Sequence, residues 1–158
     1  MSSFLNNQPT DDKAAEVAYD CLINGDFAQG YTILKGSADS KNFDILFNLG
    51  LCFLGAKDFE KAAEFFEKAL NLSKSSGLGS PQKEQSAVYI TLRRGEISRV
   101  QYLKPLCADF IARFPIAARE NITMALITAL KNCGQNDSAK RLTAALIGDE
   151  FIDFKGDF

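Results

Sequence analysis

The chain has 158 residues, 46% hydrophobic and 24% charged, with 18 basic and 20 acidic side chains and no histidine. That length suits one ordinary domain with a sizeable core. A net charge of -2 and a pI near 5.2 give no global attraction to a polyanion, which makes nucleic acid a poor partner. No run of about 18 apolar residues occurs, and the start MSSFLNNQPTDD lacks a basic and then apolar leader, so we expect a soluble, cytoplasmic protein with no membrane insertion.

Without histidine a Ser-His or Cys-His nucleophile pair cannot be built, and no GxSxG, P-loop or GxGxxG sequence is present. The reading is therefore not an enzyme, with no catalytic residues and no cofactor. Cys21, Cys52, Cys107 and Cys133 are far apart, and none forms a CxxC pair. We read Cys21, Cys52 and Cys107 as small hydrophobes inside helical apolar runs and Cys133 as a turn residue, with no metal site.

Residues 1–10 read as a flexible N-terminus. Residues 11–37 read as a helix through Leu22-Ile23, a turn at Asn24-Gly25-Asp26, and a second helix from Phe27 that carries Gly30 and Leu34. Gly36-Ser37-Ala38-Asp39-Ser40 is the next break.

The strongest pattern is NLGLCFLGAKDFEKAAEFFEKALNL at 48–72. It places small residues (Gly50, Ala62, Ala69) and large ones (Phe53, Phe59, Phe66) where two antiparallel helices must touch. A missing or shortened side chain lets two backbones approach, and a ring opposite fills the gap. Gly55-Ala56-Lys57-Asp58 breaks the run, with Asp58 placed to cap the second helix. Gly25-Asp26-Phe27 matches Lys57-Asp58-Phe59 at an offset of 32 residues, which sets Gly30 opposite Ala62 and Leu34 opposite Phe66.

After the loop SKSSGLGS at 73–80, Ser80-Pro81 starts a helix to about Arg94. Gly95-Glu96 is its expected turn and Ile97 to Arg113 its partner, kinked at Pro105, with Val100 in the small-residue place. A last pair is expected over Ile116 to Lys131 and Asp137 to Ile147, with Ala139 as the small residue.

This pattern resembles the tetratricopeptide repeat, specific at 43–78, good at 11–42 and weaker at 81–115 and 116–147. The resemblance implies an all-α fold of antiparallel helix pairs stacked as a right-handed solenoid of three to four repeats over 11–147, with 148–158 as a tail or cap. It implies that the first helix of each pair lines a concave face for a protein or peptide client. Laid on that pattern, the inward residues are Ala15, Tyr19 and Leu22, then Asp44, Phe47, Leu51 and Leu54, then Gln82, Gln85, Tyr89 and Leu92. The expected peptide-binding residues are Tyr19, Leu22, Phe47, Asn48, Leu51, Leu54 and Tyr89, in an apolar groove that buries client side chains at about 25 cal/mol per Å².

The family's carboxylate clamp for acidic chaperone C-termini needs basic and amide residues. Asn48 stands at one clamp Asn place, but Ala15, Tyr19, Gln82 and Ser86 occupy the others, so a conventional clamp is not expected. Asn48 equally suits an interhelical hydrogen bond. The implied role is an adaptor, scaffold or small chaperone, and in length and pI the chain looks like type III secretion chaperones. The alternative is a self-associating structural or regulatory protein whose groove holds its own tail or a homodimer partner.

Residues 83–119 carry seven basic residues against Glu84, Glu96 and Asp109, read as a solvated helix surface. The tail GDEFIDFKGDF spaces Phe151, Phe154 and Phe158 between charges. It reads as a cap over the last repeat, with entry into a concave groove as the second reading.

Overall fold

The computed structural model describes residues 11–75 and 87–147, leaving out the side chains of Tyr89, Ile90, Leu146 and Ile147. The expectations for residues 1–10, the Ser80-Pro81 helix start, Gln82, Gln85 and the tail therefore lie outside the described residues.

Among the described residues the fold is all-α, with α1 Asp11–Ile23, α2 Phe27–Leu34, α3 Phe43–Gly55, α4 Phe59–Ser75, α5 Ala87–Ser98, α6 Ala108–Arg113, α7 Pro115–Asn132 and α8 Asn136–Ile147. Two 3₁₀ turns, Lys35–Ser37 and Gln101–Leu103, join them.

Three helix pairs share one turn. In each, a left-handed residue (Gly25, Lys57 or Gly134) donates its N–H three residues back, and the next N–H reaches five residues back. The longer bonds are Asp26 to Cys21 at 2.9 Å, Asp58 to Phe53 at 2.9 Å and Gln135 to Leu130 at 2.9 Å. This is the Schellman arrangement, which satisfies carbonyls orphaned at a helix end. Asp26 and Asp58 then cap α2 and α4, accepting from the N–H groups of Gln29 at 3.1 Å and Lys61 at 3.2 Å.

The turns thus define pairs α1/α2, α3/α4 and α7/α8. Within the second pair, Gly50 faces the Phe66 ring, and Ala62, Phe66 and Ala69 are fully buried. Ala139 plays the same small-residue part in α8. The pairs stack through α2 on α3 and α4 on α7. Sandwiching on several sides explains why every residue from Asp44 to Cys52 in α3, and from Asn121 to Leu130 in α7, is buried.

The segment between α4 and α7 departs from the sequence expectation. α5 continues through Gly95-Glu96 to Ser98, so no turn forms there. Val100 then adopts a left-handed conformation at φ 61°, which is strained for a β-branched residue and ends the helix. Lys104–Cys107 is irregular, with Lys104 and Cys107 extended, and Pro105 interrupts helical hydrogen bonding. Only the six residues of α6 remain helical before Phe114 and Pro115 open α7. Instead of a partner helix over 97–113, the chain packs the Gln101–Leu103 turn and α6 onto α7. Cys107, expected within a helix, is the extended residue preceding α6.

A candidate peptide-binding cleft

The stretch 101–107 crosses α3 at Asn48. Asn48, 1% exposed, donates from Nδ2 to the Leu106 carbonyl at 2.8 Å and accepts from the Leu106 N–H at Oδ1, 2.9 Å. Its amide pairs with both backbone groups of one residue, as a neighbouring strand would. Leu106 and Tyr102 are buried beside it, and the Tyr102 hydroxyl shares a 3.0 Å hydrogen bond with Thr128 on α7. Burial raises the Tyr102 hydroxyl pKa, an effect opposed by the Thr128 bond.

Most of the expected binding residues stand in the interior. Phe47 is fully buried with its ring 5.3 Å from that of Phe66. Leu51 and Leu22 are core residues, Leu22 lying directly beneath Gly30, and Leu54 is half-buried against the core. Asp44 is buried, Ala15 is half-buried and Leu92 is exposed on α5. Apolar residues at the first-helix positions of 43–55 are thus buried or half-buried within the packed helices, Phe47 being closed by Phe66 of α4. The Tyr89 side chain lies outside the described residues.

Among the described side chains of the seven, Tyr19 alone lines an open cleft, about 400 Å³ in volume. α1 supplies Tyr19 and Ile23, the crossing stretch supplies Lys104, Pro105 and Leu106, and Phe110, Phe114 and Asn121 close the other side. Ile23 and Phe114 are 52% and 54% exposed, and the Phe110 and Phe114 rings pack with centroids 5.4 Å apart. Burial, then the adjoining Cys107 thiol and Asp20, raise the pKa of the Tyr19 hydroxyl and keep it a neutral hydrogen-bonding group.

The floor is polar but satisfied. Arg93 of α5 donates to Glu120 at 3.1 Å, to Glu96 at 2.6 Å and to Asn121 Oδ1 at 3.0 Å. That fan ties α5 to α7 and spends the guanidinium within the chain. The Phe110 and Phe114 walls were missed in the sequence because a six-residue helix gives too short a run to show a face. Their i, i+4 spacing just before Pro115 was the available signal. Among the described residues no three Cys, Asp or Glu side chains converge as metal ligands, and no helix is long and apolar enough to cross a membrane.

Stacked helix pairs with a shared turn and an apolar cleft define a helical-repeat protein. Residues 43–76 match the family model of the tetratricopeptide repeat, so the α3/α4 pair is a tetratricopeptide repeat. No curated protein and no solved structure matches the chain.

Proposed function

We propose that the chain is a protein-interaction module that binds a polypeptide segment in the cleft between α1 and residues 104–121. The observation that carries this reading is the exposure of Ile23 and Phe114 at the mouth of a cleft of about 400 Å³. Such a volume lies within the usual range for ligand sites, and apolar walls with a few polar groups suit side-chain capture. The tetratricopeptide repeat at 43–76 supports protein partners as the ligand class. Tyr19 is the contact carried over from the sequence, now joined by Ile23, Phe110 and Phe114. Cys21, Cys52, Cys107 and Cys133 are all unpaired thiols, which suits a reducing compartment, and we place the module in the cytosol as an adaptor or small chaperone.

The test is capture from native extract by wild type beside Ile23→Glu/Phe114→Glu. Both residues are exposed, so the variant keeps its circular dichroism and melting temperature. A polypeptide retained by wild type and lost by the variant is expected; unchanged retention would move binding to another surface.

A further inference from the structure

α7 and α8 are joined by the tight 133–135 turn and run antiparallel, so α8 returns alongside the first turns of α7, which place Asn121 in the cleft wall. Packed helices lie roughly 8–10 Å apart. The segment that follows Ile147, GDEFIDFKGDF, spans about 35 Å when extended, enough to cross from α8 to Tyr19 on the far wall.

Its chemistry fits. Of the charged residues lining this side of the cleft, Arg93 is paired with Glu96 and Glu120 and Lys104 adds a further positive charge, whereas residues 148–158 carry four carboxylates against Lys155 alone. The opposite lip has Asp20 beside Tyr19, so the Lys104 side is the one the tail's carboxylates would follow. Phe151, Phe154 and Phe158 bring apolar rings to a cleft walled by Tyr19, Phe110 and Phe114. Tethering supplies an effective concentration of order millimolar, so weak apolar and ionic contacts suffice for occupancy.

We propose that residues 148–158 of the same molecule dock in this cleft and compete there with a client. The proposal rests on the reading of the cleft as the binding site.

The experiment compares ¹⁵N–¹H spectra of the full chain and of Phe151→Ser/Phe154→Ser/Phe158→Ser, then titrates the synthetic peptide GDEFIDFKGDF into the variant. Displacement of amide signals at residues 19–23 and 104–121 by the substitutions, and their return toward wild-type positions with added peptide, is expected at every protein concentration. Unmoved cleft signals overturn the proposal, as do changes confined to α8, which mark a cap. Changes that vanish on dilution together with a sedimenting dimer also overturn it, because the occupant is then a second copy's tail. Client capture that is lost in Ile23→Glu/Phe114→Glu and unchanged by the tail substitutions leaves the cleft reading standing while the tail proposal falls; capture insensitive to the cleft substitutions removes the cleft reading itself.

Discussion

Asn48 and Leu106, 58 positions apart in the chain, are joined by two buried hydrogen bonds that use both ends of one side-chain amide. One residue of the α3 helix thereby fixes the backbone of the crossing stretch against that helix. Removing the amide leaves a buried N–H and a buried C=O without a partner, each costing about 1–3 kcal/mol.

Asn48→Leu is therefore expected to lower unfolding free energy by about 2–4 kcal/mol, read from denaturant titration. A loss under about 1 kcal/mol would mean that the crossing stretch is held by Leu106 and Tyr102 packing alone.

Glycine substitutions should divide by what a new methyl meets. A Cβ at Gly50 would fall 2.5 Å from Phe66 Cε1, inside the tightest contact of the α3/α4 pair. Gly50→Ala is expected to cost about 1–3 kcal/mol through overpacking. At Gly95, within α5, the nearest atom is the flexible end of Arg99 at 3.4 Å, so Gly95→Ala should raise stability by about 0.5–1 kcal/mol. Thermal melts of the two variants should move in opposite directions.

The left-handed turn position gives a reciprocal pair. Lys57 holds φ 60° with a β-carbon, while Gly25 holds φ 79° with nothing within 4 Å of its added Cβ. Lys57→Gly should gain, and Gly25→Ala should lose, about 1 kcal/mol, since only backbone strain changes. Equal and opposite shifts in denaturation midpoint would check this.

Asp44 is buried, and burial pushes its carboxyl pKa above the ordinary value, an effect that backbone N–H bonds from Ile45 and its own residue partly offset. The folded state then holds the proton more tightly than the unfolded chain. Its contribution to folding is fully present below the unfolded pKa of about 3.9 and is lost as pH rises through the raised folded value. Asp44→Asn carries no such charge, so its melting temperature relative to wild type should be higher at pH 7 than near pH 3.5. A pH-independent difference would show that the carboxylate is solvated when folded.

Burial pushes the Cys52 thiol up to about 11. At pH 8 roughly one molecule in a thousand then presents the thiolate that alkylating agents attack. Cys21, Cys107 and Cys133 are more exposed. Mass spectrometry of iodoacetamide-treated native protein should find Cys52 modified last, and early labelling there would mean that the α2/α3 contact opens readily.

The residues by themselves determined the helix pairs whose contacts are local. Gly50 with Phe66, Asp26 and Asp58 as caps, and the offset between Gly25 and Lys57 are all settled within about 35 residues, by sterics and capping that act over one or two turns. The last pair was also legible, through Ala139 and the turn at Gly134. Only the tertiary structure decided what lies between them. Gly95 reads as a break, yet an isolated glycine costs a helix about 1 kcal/mol, which the surrounding contacts of α5, including the Arg93 fan to Glu120 and Asn121, can offset. Val100 and Pro105 then turn the chain across α3, a route set by the long-range pairing of Asn48 with Leu106 and of Tyr102 with Thr128. Phe47 packs on Phe66 within the α3/α4 pair, whereas Asn48 finds its partner only through that crossing. Helical periodicity marks the α3 face as apolar, but only the packed neighbours decide which surface each residue serves, and the one that pairs with Asn48, Leu106, lies 58 residues away in sequence.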